Sequence, residues 1–146
     1  MFFEKLLHTI RWCLMRKNAI LVRQEPLFTV RGDIPLSDYP RLYRAESLDI
    51  SLHLSRSSSG SYLLLGILTS RDTSENSDAF EGIDVDLYAA PGPLWIEGDR
   101  WAGKPLLSTR IDDLGHIVLS DVPEGEFVMV LYLPAFEVIV EGLTIP

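Results

Sequence analysis

From Leu48 onward apolar and polar positions alternate along the chain, with Leu48, Ile50, Leu52 and Leu54 separated by Asp49, Ser51, His53 and Ser55. A period of two marks a strand with one buried face. The polar turn Arg56 to Gly60 leads into SYLLLGILT (Ser61 to Thr69), a nearly continuous apolar run, so the two segments read as a hairpin. In IDVDLYA, Ile83, Val85 and Leu87 alternate with Asp84, Asp86 and Tyr88. Strand-like runs resume at Leu106 to Ile111, His116 to Ser120, Glu126 to Leu133 and Phe136 to Ile145, with short turn sequences between them. The pattern predicts seven strands and no interleaved helix, an all-β, antiparallel two-sheet sandwich over residues 48–146. Its expected core is Leu48, Ile50, Leu52, Leu65, Val85, Leu87, Ile117, Leu119, Phe127, Met129, Leu131 and Val138.

Upstream the period is different. Phe2, Phe3, Leu6, Leu7, Ile10, Leu14 and Met15 follow helical spacing, so residues 1–24 read as a short basic amphipathic helix, with an irregular lead-in over 25–47. Charges interrupt each apolar run before it reaches the roughly 20 residues of a membrane span, and no signal-peptide cleavage pattern follows. The chain is therefore expected to be cytoplasmic. The helix could dock on the sandwich, or touch a membrane surface or a partner. Two loops stand out: the acidic Arg71 to Gly82, and PGPLWIEGDRWAGKP (Pro91 to Pro105), a long loop or irregular hairpin.

With 146 residues, 47% hydrophobic and 23% charged, the composition suits one globular core. The net charge of -8 is unevenly spread. Residues 1–24 hold Lys5, Arg11, Arg16, Lys17 and Arg23 against Glu4, a net of +4, which leaves -12 for the rest. So acidic a body repels phosphate backbones, and nucleic acid is not an expected partner. Cys13 is the single cysteine, which excludes an intrachain disulfide and a thiolate zinc site.

Catalytic patterns are thin. Gly98 to Pro105 matches half of a phosphate-binding loop, but Pro105 stands where the magnesium-binding hydroxyl is needed. His8, His53 and His116 are isolated, the serines from Ser57 to Ser61 lack a nucleophile-elbow glycine, and Cys13 has no recognisable base. Two constellations remain. Trp95 and Trp101, with Tyr88 nearby, could stack on a sugar or anchor a protein partner, or could cap the core. Asp84, Asp86, Asp112 and Asp113 could meet at one end of the sandwich as a calcium site, with solvated surface carboxylates as the alternative.

In and just before the stretch Ile111 to Leu133, Thr109, Asp112 and Gly115 precede a short strand, and Val122, Pro123, Gly125 and Phe127 follow it. This arrangement resembles the carboxypeptidase regulatory-like (transthyretin-like, prealbumin-type) domain, and with SYLLLGIL and IDVDLYA the resemblance spans about Ser61 to Ile145. RLYRAESLDISLHL followed by such a sandwich is also similar to the C-terminal part of some bacterial proteins that accompany sigma-factor regulators. The resemblance implies a prealbumin-like or Ig-like sandwich whose motif residues shape turns and do no catalysis. The function expected is a non-catalytic, bacterial protein-binding or regulatory accessory module without a cofactor or small-molecule substrate. The alternatives are a carbohydrate-binding module using Trp95 and Trp101, or an enzyme with an unrecognised site.

Overall fold

A computed structural model describes residues 16–24, 39–57, 59–71, 77–90, 94–96, 100–102 and 104–146, with twelve strands among them. The strands are β1 (Arg16–Asn18), β2 (Ile20–Gln24), β3 (Arg41–Ala45), β4 (Leu48–Arg56), β5 (Tyr62–Ser70), β6 (Asp84–Ala89), β7 (Leu94–Ile96), β8 (Arg100–Ala102), β9 (Leu107–Arg110), β10 (His116–Val122), β11 (Gly125–Tyr132) and β12 (Glu137–Ile145). They build two five-stranded sheets and a separate hairpin. Sheet A has the order β1-β12-β11-β6-β9, sheet B the order β10-β5-β4-β3-β2, and β7 pairs with β8. The fold is all-β, as the alternation predicts.

The seven-strand count is too low. All seven expected runs form strands, but β1, β2 and β3 precede them, and the segment from Pro91 to Pro105 holds the short hairpin β7–β8. Arg41–Ala45 escapes a periodicity search because its inward positions are Arg41, Tyr43 and Ala45, and an arginine does not read as core. The helix predicted over 1–24 is also corrected where it can be seen. Residues 16–24 form β1 and β2 linked by Ala19, and the apolar positions that suggested a helix all lie in 1–15, outside the described residues. Ile20 and Val22 are β-branched, and two sheet edges are available to pair with. β1 lies parallel to β12, with Arg16 opposite Glu137; Ala19 donates its N–H to the Ile139 carbonyl at 2.8 Å, and the chain then crosses to sheet B, where β2 pairs with β3.

The inner faces of both sheets supply the core: Ile50, Leu52, Leu64 and Leu68 from sheet B meet Val85, Leu87, Met129, Leu131, Val138 and Val140 from sheet A. Each such side chain contributes roughly 1.5–3 kcal/mol of burial free energy. Of the expected core, only Leu65 is misplaced: Leu64 points inward and Leu65 outward, because in a run of three leucines the sequence does not mark the phase. Gly66 is also inward. A Cβ there would stand 3.1 Å from the Ile117 Cβ, so glycine is what lets β5 and β10 pack as they do.

The turn that carries the chain from β9 in sheet A to β10 in sheet B is closed by Asp112. Its Oδ1 accepts the backbone N–H groups of Leu114 (2.9 Å) and His116 (2.8 Å), and Gly115 supplies the positive φ of 79° that the turn needs.

Candidate functional site

Asp84, Asp86 and Tyr88 share the outer face of β6, away from the core. Cross-strand register sets their neighbours. Asp84 faces Arg110, Asp86 lies between Ser108 and Val130, and Tyr88 stands beside Val128. Arg110 Nε reaches Asp84 Oδ1 at 2.9 Å in an exposed ion pair. Three hydroxyls converge on Asp86: Ser108 donates to Oδ1 at 2.6 Å, Tyr132 to Oδ2 at 3.0 Å, and Tyr88 to Oδ2 at 3.4 Å, with the two tyrosine hydroxyls 3.3 Å apart. Burial pushes the Tyr88 hydroxyl above its ordinary range, as it does Tyr132, where the Tyr88 hydrogen bond and the Asp86 charge add to it. Both stay protonated and act as hydrogen-bond donors at neutral pH. The cluster is a satisfied network with its donors already committed, which suits holding strands together.

Asp112 and Asp113 sit in the β9–β10 turn, just past the end of the ladder where Asp84 faces Arg110. The two N–H bonds hold the Asp112 carboxyl below its ordinary value, with the nearby His116 ring adding to the effect. Among the described residues no three His, Cys, Asp or Glu side chains are grouped to hold a metal ion, so the four aspartates do not form one calcium cage there. Backbone register in the β7–β8 hairpin places Trp95 directly opposite Trp101. Tyr88 belongs to the Asp86 network.

The sheet B side shows what periodicity did not single out. Its edge strand β2 exposes Ile20, Leu21 and Val22 at 70%, 43% and 47%. On the outer face, Leu63, Leu65 and Ile67 of β5 are half-exposed and Val118 of β10, opposite Leu65, is 45% exposed. A signal for this surface did exist, since SYLLLGILT is apolar on both faces. Tyr132, Ser108 and Arg110 had none, because only strand pairing brings them to Asp86 and Asp84.

No family model matches the chain, and no curated protein or solved structure matches it either. Among the described residues no helix is long and apolar enough to cross a membrane.

Proposed function

We propose that the chain is a non-catalytic β-sandwich interaction module that takes an extended segment of a protein partner onto the edge of sheet B. The observation that carries this reading is the run Ile20–Val22, three consecutive exposed apolar residues on an edge strand. An open edge offers unpaired N–H and C=O groups, and natural sheets usually blunt it with charge. Each edge among the described strands carries some charge, Arg16 and Lys17 on β1, Arg110 on β9, Asp121 on β10 and Arg23 on β2, but of the four β2 alone holds three consecutive exposed apolar residues. Strand addition draws affinity from the backbone ladder and specificity from alternate side chains, which Ile20 to Val22 and the half-exposed apolar stripe on the outer face of the same sheet would supply. The polar clusters support a non-catalytic reading, because their hydroxyls and carboxylates are engaged with one another.

The test is capture of partners by the full chain beside Ile20→Lys/Val22→Lys, with melting temperature as a folding control. Loss of a captured protein with an unchanged melting temperature supports the reading; equal capture by both proteins defeats it. Carbohydrate binding is a second reading, favoured by the register that sets Trp95 opposite Trp101. Trp95→Ala and Trp101→Ala should then abolish glycan binding with little change in melting temperature, whereas a sharp thermal loss would assign both rings to the core.

A further inference from the structure

Register sets the row of residues that ends at Ile20. Ile20 on β2 lies opposite Arg44 on β3, and Arg44 lies opposite Asp49 on β4, so the three share one line across sheet B. Arg44 and Asp49 alternate with the buried Tyr43, Ala45, Leu48 and Ile50, which puts the line on the outer face. Charge along it is unbalanced. Asp49 Oδ1 takes both Arg44 Nε at 2.9 Å and Arg71 Nε at 3.5 Å, so one carboxylate serves two guanidiniums. Arg71 Nη2 also donates to the Glu46 carbonyl, an uncharged acceptor, while the Glu46 carboxylate is taken by Lys17 at 3.2 Å. Three cations meet two anions, a local excess of positive charge in a chain whose net charge is -8. Arg44 and Arg71 keep 39% and 43% of their side-chain surface in solvent. With Ile20 70% exposed beside them, the surplus charge and the apolar edge are open to the same neighbour.

We infer, resting on strand addition to β2 as proposed above, that the partner segment is acidic: one of its carboxylates lies beside Ile20 in this row and reaches the Arg44 and Arg71 guanidiniums. A strand paired to β2 extends the row by one spacing of about 4.8 Å, which sets its outward residue roughly 10 Å from Arg44 between Cβ atoms. A glutamate and an arginine extended towards each other span that gap across Ile20. Apolar residues elsewhere in the segment cover the exposed Leu21 and Val22. Charge also argues against a second copy of the chain as the occupant. Residues 16–24 hold Arg16, Lys17 and Arg23 and no aspartate or glutamate, so β2 paired with itself brings cations to a row that lacks an anion.

A phage-displayed library of random peptides, panned against the full chain, tests this beside Ile20→Lys/Val22→Lys and Arg44→Gln/Arg71→Gln, each checked for folding by its melting temperature. Peptides enriched on the wild-type chain should carry aspartate or glutamate at one fixed position among β-branched or aromatic residues. On Arg44→Gln/Arg71→Gln the apolar pattern should persist and the acidic position should vanish. In fluorescence anisotropy, changing that acid to its amide in a selected peptide should weaken binding to the wild-type chain about fivefold and leave binding to the double variant unchanged. Arg71→Gln alone keeps the Arg44–Asp49 pair, and it should show part of the same loss even where the double variant does not fold. An apolar pattern without an acid, or an acid still selected by the double variant, overturns the inference and leaves strand addition standing. No enrichment beyond that on Ile20→Lys/Val22→Lys overturns both. Self-association of the wild-type chain in sedimentation, abolished by Ile20→Lys/Val22→Lys, would make a second copy the occupant and overturns the inference too.

Discussion

Arg41 on β3 donates from Nη1 to the Gly142 carbonyl at 2.9 Å, joining sheet B to the last strand of sheet A across 101 residues of sequence. Its Nη2 donates to Thr144 Oγ1 at 2.7 Å, and its guanidinium lies 4.6 Å from the centre of the Tyr39 ring. Side-chain area buries the residue to 5% exposure, so these bonds form out of water. Removing the guanidinium leaves the Gly142 and Thr144 oxygens to be resatisfied. Arg41→Ala should therefore lower unfolding free energy by roughly 3 kcal/mol, the range for charged hydrogen bonds at a buried site. Arg41→Lys should recover less than half of that, because an ammonium cannot reproduce the planar fork. Urea unfolding of the three proteins checks both values.

Asp112 links the β9–β10 turn to pH. Its folded pKa lies below the ordinary value of 3.8, first because the His116 N–H binds the carboxylate and then because the Leu114 N–H does. A depressed carboxyl binds its proton less readily folded than unfolded, so its stabilisation is present above the ordinary value and is lost as pH falls through the lowered one. Asp112→Ala should melt below the wild-type chain at pH 7, and the gap should close as both are acidified. A gap that persists unchanged in acid would show that the turn is held by something other than the charge.

How much of this was legible depended on whether one strand or several had to be known. β4 is visible in LDISLHLS because its inward and outward residues differ in kind. β5 was visible as a strand, but its phase was not: with apolar residues on both faces, Leu64 and Leu65 are interchangeable on paper, whereas in β11, also apolar on both faces, the expected Phe127, Met129 and Leu131 do face the core. That ambiguity was itself information, since it marks the strands whose outer faces need cover or a partner. β3 was hidden by Arg41, whose burial is intelligible only beside Thr144. The Asp86 network was half legible, with Asp86 and Tyr88 two apart on one strand, while Ser108 and Tyr132 arrive from β9 and β11 through the pairing.

Tyr88 and Tyr132 should make the protein sensitive to alkali. Both hydroxyls are raised, chiefly by burial, so the folded state keeps protons that the unfolded chain gives up near pH 10. Stability from this source is complete below that pH and declines as pH rises further. Ultraviolet titration should show part of the signal of the five tyrosines appearing only together with loss of circular dichroism. Tyr132→Phe should move unfolding to higher pH; smooth titration of all five in the folded state would refute the burial argument.

Gly66 faces Ile117 across the β5–β10 ladder, and its missing side chain is structural. A methyl there would stand 3.1 Å from Ile117 Cβ, 3.2 Å from Ile117 Cδ1 and 3.2 Å from Leu52 Cδ2. Both neighbours are fully buried core residues with little room to retreat. Gly66→Ala gains strand preference but should lose about 2 kcal/mol to overpacking. Ile117→Val alone removes the Cδ1 methyl and should cost about 1 kcal/mol. In the double variant the space vacated by Cδ1 accepts part of the new methyl, so the combined loss should fall short of the sum by about 0.5 kcal/mol or more. Urea midpoints for the four proteins decide it: strict additivity would mean that the strain is taken up at Leu52 or in the backbone of β5 instead of at Ile117.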